Sequence, residues 1–126
     1  MISGGGLEAV GVIGLGYVGL PLAVELADSG RQVVGFDSDT VLVAELEAGH
    51  SGIPDVSDDS LVTALANSLR ISASSFDLDG CGTFVICVPT PLSASAGADT
   101  SSIERAVSTI APYVRAGTLI VLESTS

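Results

Sequence analysis

Residues 11–30 read GVIGLGYVGLPLAVELADSG, and this stretch carries the strongest structural signal in the chain. Its glycines Gly14, Gly16 and Gly19 lie between a short apolar run and a segment whose apolar residues recur at helical spacing. A G-x-G-x-x-G pattern between a strand and a helix is typical of a turn that holds phosphate groups, although the pattern alone is weak evidence. The alternative is a strand–helix turn in which the glycines serve only close packing.

Three features of the surrounding sequence favour the phosphate-binding turn. A predicted strand at residues 9–13 precedes the glycines, and a predicted helix at residues 17–29 follows them. A second predicted strand, residues 32–36, ends at Asp37, which lies 23 residues after Gly14. An acidic residue about 20 positions after the first glycine is expected where the bound nucleotide carries a ribose.

Each position has a chemical role in this interpretation. Gly14 permits the tight turn, Gly16 lets the backbone approach a pyrophosphate, and Gly19 lets the helix pack close to the strand. The N-terminus of the helix offers unpaired N–H groups to the phosphates. The Asp37 carboxylate accepts hydrogen bonds from a ribose diol and repels a 2′-phosphate, and no Arg follows it closely. The sequence therefore predicts NAD rather than NADP as the cofactor.

The composition limits the possible ligands and partners. The chain of 126 residues has 15 acidic and 4 basic residues, a formal net charge of −11. Four basic residues, all of them Arg, are too few to hold phosphates with a basic patch, so phosphates would depend on backbone N–H groups. The acidity disfavours nucleic acid and anionic membranes. No apolar run reaches the roughly 18 residues of a membrane span, and the N-terminus lacks a basic signal-peptide region, so a cytoplasmic protein is predicted.

The cysteines and the single histidine carry no metal signature. Cys81, Cys87 and His50 match no metal-binding spacing, so we expect no bound metal. Cys87 lies inside the apolar run TFVICVP and is expected to be a buried thiol.

The remaining elements are predicted from apolar spacing, caps and helix breakers. A helix at residues 40–47 is capped by Asp39, and a second helix is capped by Ser57 and has an apolar stripe of Leu61, Leu65 and Leu69. A weak strand at 70–73 and a strong strand at 83–88 follow, and then a flexible loop at 91–99. The last elements are a helix from about 101 to about 115 with a kink at Pro112, and a strand at 118–122. Continuously apolar strands are typical of a buried parallel sheet. We therefore expect an α/β fold, Rossmann-like and doubly wound, with a mainly parallel sheet in a single domain.

Three motifs together resemble a known family. The stretch GLGYVGLPLAVELADSG at 14–30, ICVPTP at 86–91 and LEST at 122–125 resemble the UDP-glucose/GDP-mannose dehydrogenase family. The likeness covers about residues 8–126 and is nearest to the nucleotide-sugar 6-dehydrogenases that act on UDP-N-acetylhexosamines. It implies oxidation of the C6 alcohol of a UDP- or GDP-linked sugar to a carboxylate with two NAD+, a reaction of polysaccharide biosynthesis.

The resemblance also implies roles for residues of this chain. Tyr17 and Val18 are similar to the loop residues whose backbone faces the pyrophosphate, and Asp37 is similar to the ribose-binding acid. The turn that borders the cofactor in the family is similar to Val88, Pro89 and Thr90. The pair of residues beside the nicotinamide is similar to Ser124 and Thr125. In relatives the residue that matches Thr125 helps to hold a water or substrate oxygen near the reacting carbon, which makes Thr125 the one catalytic candidate.

The chain departs from the family pattern in its length. Family enzymes are several times longer, and their central dimerisation segment, C-terminal sugar-nucleotide domain, nucleophilic cysteine and assisting lysine lie in parts that this sequence lacks. Cys87 does not match the nucleophile, and the chain has no Lys. We therefore expect residues 1–126 to form the NAD-binding domain, to bind cofactor and to lack turnover alone.

Two alternatives stay open, and the last strand has a consequence of its own. One alternative is a stand-alone, non-catalytic NAD-binding module. The other is a fragment of a β-hydroxyacid-type dehydrogenase, in which the glycine motif usually reads G-x-G-x-M-G, whereas this chain has Tyr17 and Val18. The apolar strand at 118–122 is expected at an unpaired sheet edge, which predicts self-association.

Overall fold

The computed structural model describes residues 8–89, 92–93, 97–98 and 101–123. Its strands are β1 Val10–Ile13, β2 Val33–Phe36, β3 Leu69–Ser72, β4 Thr83–Ile86, β5 Leu92–Ser93, β6 Gly97–Ala98 and β7 Leu119–Leu122. Five of them form one parallel sheet in the order β3-β2-β1-β4-β7, and β5 and β6 pair separately as a short antiparallel hairpin. The predicted parallel α/β sheet is confirmed.

Four helices connect the strands. They are α1 Gly19–Asp28, α2 Thr40–Glu47, α3 Asp58–Asn67 and α4 Ser101–Ile110, and short 3-10 turns occur at Ser75–Leu78 and Ala111–Tyr113. The two predicted caps are confirmed. Asp39 accepts hydrogen bonds from the N–H groups of Val41 and Leu42 at the start of α2, and the Ser57 hydroxyl accepts one from the Ser60 N–H at the start of α3.

Helices cover both faces of the sheet, as a doubly wound fold requires. One apolar cluster joins Val10 and Val12 of β1 to buried residues of α1, α2 and α3. A second cluster on the opposite face joins Ile13 and Phe84 to Ala106 of α4. The alternation along β1 follows from the strand period of two, because successive side chains point to opposite faces.

Several predicted boundaries were wrong. The strand predicted at 83–88 ends at Ile86, and Leu69 begins β3 instead of continuing the stripe of α3, which ends at Asn67. The helix predicted to run to about Arg115 ends at Ile110 and passes into a 3-10 turn. Pro112 explains this end, because its ring removes a helical N–H donor and clashes with the preceding turn.

The loop predicted at 91–99 is also partly ordered into regular structure. Within its described residues, Leu92 pairs with Ala98 and Ser93 with Gly97. The predicted loop therefore contains a short β-hairpin that the sequence did not indicate, and the other residues of that segment lie outside the described ones.

Candidate functional site

The register of the sheet brings three chain segments to one edge. Ile13, Phe36 and Ile86, the last residues of β1, β2 and β4, are paired in register. The chain leaves β1 toward β2 on one side, and β4 lies on the other side. Such a switch point at the carboxyl ends of parallel strands is where open α/β sheets bind ligands.

A cleft of about 740 Å³ opens at this edge and is called the glycine-loop cleft below. It is lined by Ile13, Gly14, Leu15, Gly16, Tyr17, Val18, Phe36, Asp37, Ser38, Asp39, Leu42, Cys87, Val88, Pro89, Ser102, Arg105, Ala106 and Thr109. The lining includes most of the predicted cofactor-binding residues. Gly19 is outside the lining, and Thr90, Ser124 and Thr125 lie outside the described residues.

The three glycines meet three different spatial demands. Gly14 has φ +97°, a backbone conformation that L side chains rarely adopt. A Cβ on Gly19 would lie 1.7 Å from the Gly14 carbonyl oxygen, so only glycine allows α1 to start this close to the turn. A Cβ on Gly16 would meet no atom within 4 Å. At Gly16 the missing side chain therefore leaves room for a ligand and serves no packing contact.

The start of α1 presents unpaired donors to the cleft. The N–H groups of Gly16, Tyr17 and Val18 have no acceptor among the residues that the structure describes, and Val18 has no side-chain cap. The first turn of α1 also contains no acidic residue. Free N–H groups and the helix dipole together favour an anion here, which is the chemistry that a pyrophosphate needs.

The Asp37 carboxylate joins the glycine loop to the end of β2. Its Oδ2 accepts a hydrogen bond of 2.9 Å from the Leu15 N–H, and its Oδ1 accepts one of 2.9 Å from the Asp39 N–H. A carboxylate offers about four acceptor positions, so two remain for hydroxyl donors. The side chain is thus held in one orientation while it keeps the capacity to bind a ribose diol.

Cys87 forms part of the floor of the cleft and is confirmed as a buried thiol, with 5% of its surface exposed. Burial, with a smaller contribution from the Glu123 carboxylate, raises the pKa of Cys87 to about 11. Burial also raises the pKa of Cys81 to about 11, with smaller contributions from Asp79 and Glu8. Both sulfurs are therefore neutral thiols at neutral pH, a form that is a poor nucleophile.

One wall of the cleft was not foreseen from the sequence. It is formed by the face of α4 that carries Ser102, Arg105, Ala106 and Thr109. Arg105 donates from Nη2 to the Ser102 hydroxyl at 3.2 Å. The spacing of these residues marks one helix face, but nothing in the sequence tells which face of α4 meets the cleft, because that depends on packing against β4.

Two absences apply to the described part of the chain. None of its helices combines the length and apolar character that crossing a membrane requires. The same residues contain no group of three or more His, Cys, Asp or Glu side chains arranged to hold a metal ion.

Comparisons with known proteins agree with this geometry. Residues 8–126 match the model of the UDP-glucose/GDP-mannose dehydrogenase family, NAD binding domain. A UDP-N-acetyl-D-mannosamine dehydrogenase from Pyrococcus horikoshii is 39% identical over 92% of this chain and 28% of its own length. A UDP-N-acetyl-D-glucosamine 6-dehydrogenase from Pseudomonas aeruginosa is 37% identical over 92% of this chain and 27% of its own.

A solved structure of the UDP-D-ManNAc dehydrogenase from Pyrococcus horikoshii superimposes with a TM-score of 0.87 at 38% identity. The superposition covers 93% of this chain and 28% of that one, so the chain spans less than a third of the length of these relatives. Its match falls on the part that binds NAD. The chain belongs to the UDP-glucose/GDP-mannose dehydrogenase family and carries the NAD-binding domain of that family.

Proposed function

We propose that this chain binds NAD+ in the glycine-loop cleft and supplies the cofactor-binding part of a nucleotide-sugar 6-dehydrogenase. The observation that carries the proposal is the Asp37 carboxylate, held by the Leu15 and Asp39 N–H groups beside the open donors of the glycine loop. One ligand satisfies both features, because a dinucleotide joins a ribose diol to a pyrophosphate. Residues 1–126 are the NAD-binding domain in this proposal.

Different residues of the cleft bind different parts of NAD+ in this proposal. The N–H groups of Gly16, Tyr17 and Val18 bind the pyrophosphate, and Asp37 binds the ribose nearest the adenine. Val88 and Pro89 border the cofactor on the opposite side. The roles of Thr90, Ser124 and Thr125 beside the nicotinamide, and of Thr125 in holding a water or substrate oxygen, stay predictions of the sequence.

The proposed reaction oxidises the C6 alcohol of a UDP- or GDP-linked sugar to a carboxylate. The change removes four electrons as two hydrides, takes one oxygen atom from water and releases protons. NAD+ supplies the hydride acceptor in each step, so two molecules are reduced to NADH. Cys87, the cysteine that lines the cleft, is a buried neutral thiol and therefore a poor nucleophile. We therefore expect cofactor binding without turnover from this chain alone.

Isothermal titration of the chain with NAD+, and with NADP+ as the control, tests the binding. Heat from NAD+ with much weaker heat from NADP+ is expected, because Asp37 would face the 2′-phosphate. Equal affinity for the two nucleotides would contradict the proposal. So would the absence of binding to either one by a chain whose circular dichroism spectrum shows that it is folded. NADH formation from a UDP-N-acetylhexosamine by this chain would contradict the expectation of no turnover.

The gene sequence distinguishes the hypothesis of a stand-alone module from that of an enzyme fragment. A stop codon directly after Ser126 would favour a non-catalytic NAD-binding protein, and an open frame would favour the longer enzyme. Membership of the dehydrogenase family sets aside the β-hydroxyacid-type alternative. A cytoplasmic location stays a prediction of the sequence.

Self-association through the sheet edge is also part of the proposal. In the described part of the chain β7 pairs only with β4, and Leu119, Ile120 and Leu122 are about half exposed. An exposed apolar edge strand offers unpaired backbone groups to a second copy. Sedimentation is expected to show concentration-dependent dimers that Ile120→Lys weakens. A clean monomer at high concentration would contradict this interface.

A further inference from the structure

We infer that Arg105 is a cofactor-recognition residue whose guanidinium plane lies against the adenine base of the bound dinucleotide. The inference rests on the proposed NAD+ binding, and it adds a contact on the α4 wall of the glycine-loop cleft. No sequence motif points to this residue, because its role depends on how α4 packs against the sheet.

Arg105 is the basic residue of the cleft. Among the lining residues the other ionisable groups are Tyr17, Asp37, Asp39 and Cys87, and none of these is basic. The chain contains no Lys, and its other basic residues are three arginines. The positive charge at this site therefore comes from one side chain.

The other arginines lie outside the cleft. Arg70 pairs with Asp77 at 3.0 Å, and Arg115 pairs with Asp79 at 2.8 Å. Arg31 lines a separate groove on the α1 side of the sheet. Within the described residues, Arg105 has no carboxylate at ion-pair distance, and its guanidinium donates only to the Ser102 hydroxyl. Its charge is thus available to a ligand.

The proposed position of the ribose at Asp37 indicates which part of the ligand meets Arg105. Asp37 holds a ribose in the proposed function, and Ser38 and Leu42, which follow it in the chain, line the same cleft. The pyrophosphate extends from that ribose toward the glycine loop, where backbone N–H groups receive it. In this inference the base extends the other way, toward Leu42 and the α4 face that carries Arg105, which line the same cleft.

The chemistry of the two walls suits a flat aromatic ring. Leu42 is half-buried and offers an aliphatic surface for one face of the base. The planar guanidinium of Arg105 stacks on aromatic faces, which an ammonium group does less well. The hydrogen bond to Ser102, one helical turn earlier, limits the rotamers of Arg105.

The test compares variants of the whole chain by calorimetry with NAD+ and with AMP, which carries only the adenosine half. Arg105→Met keeps the aliphatic stem and removes the charged plane, and Arg105→Lys keeps the charge without the plane. Arg115→Met is the matched control, because Arg115 is an exposed arginine outside the cleft. Circular dichroism verifies the fold of each variant.

We expect Arg105→Met to weaken NAD+ and AMP by the same factor, about five- to thirty-fold, which lies between the values for an exposed and for a desolvated cation–π contact. Arg105→Lys should lie within about twofold of Arg105→Met, and Arg115→Met should match the wild type. Unchanged binding by Arg105→Met, with tight binding by the wild type, would overturn this inference alone. Full affinity in Arg105→Lys would also overturn it, because the residue would then act as a point charge on a phosphate. Absence of NAD+ binding by the folded wild type would instead overturn the proposed function.

Discussion

Replacing Asp37 by Asn tests the link between the fold and the site. Both carboxylate oxygens of Asp37 accept a backbone N–H at 2.9 Å, from Leu15 and from Asp39. An amide has one oxygen, so one of these N–H groups would face an NH2 donor. A hydrogen bond to a charged group contributes about 1.5–3 kcal/mol, and solvent reaches the exposed Asp39 N–H, so we expect Asp37→Asn to destabilise the fold by about 1–3 kcal/mol.

Asp39→Asn is the matched control. Asp39 accepts from the Val41 and Leu42 N–H groups, both at 3.1 Å, through the same Oδ1. Asn keeps that oxygen and is as good an N-cap as Asp, so the change should stay within about 0.5 kcal/mol. Both variants remove one negative charge. A difference between them therefore reports the hydrogen-bond pattern and not the net charge.

Urea unfolding followed by circular dichroism gives the free energy of unfolding of each variant, and calorimetry gives the affinity of each variant for NAD+. Asp37→Asn should weaken NAD+ by about 10- to 100-fold, from the lost charge-assisted bonds to the ribose. Its preference for NAD+ over NADP+ should also shrink, because the repulsion of the 2′-phosphate is removed. Equal stability of the two variants would refute the role of Asp37 as a double acceptor.

Two further predictions concern the glycines of the loop and the two buried cysteines. Gly19→Ala places a Cβ 1.7 Å from the Gly14 carbonyl oxygen and should lower the free energy of unfolding in urea by at least about 2 kcal/mol. The Cβ of Gly16→Ala meets no atom within 4 Å, so this variant should stay within about 0.5 kcal/mol of the wild type and still lose NAD+ affinity. Equal destabilisation by the two substitutions would contradict this. Burial raises the pKa of Cys81 and Cys87 from 9.0 to about 11, so the unfolded chain releases these protons first and stability should fall as the pH rises from about 9 to about 11. A Cys81→Ala/Cys87→Ala variant should flatten that slope, and an unchanged slope would assign it to other groups.

The local signals in the sequence were sufficient for most of the fold. Asp39 and Ser57 act as predicted because capping depends on a side chain and the next few N–H groups. The strands were recognised by their continuous apolar character. The predicted end of α4 is wrong because a proline within a helical pattern is compatible with a kink or with an end, and here the chain leaves the helix two residues before Pro112.

The site was predicted as far as it follows from contiguous motifs. The glycine loop and Asp37 belong to one strand–helix–strand unit, so their juxtaposition follows from the parallel pairing of β1 and β2. Arg105 comes from a distant segment, and its place depends on which face of α4 packs on β4. Two features also needed coordinates: the double acceptor role of Asp37, and the contact that excludes a side chain at Gly19.

The N–H donors of the glycine loop have an unusual consequence for ionic strength. They attract phosphate through dipoles that act at short range, whereas the net charge of −11 repels an anionic dinucleotide over a longer distance. Added salt screens the long-range repulsion more than the close contact. A site built from lysines would lose affinity as salt increases, but this one is expected to bind NAD+ faster and slightly more tightly between about 10 mM and about 150 mM salt, where the Debye length falls from about 30 Å to about 8 Å.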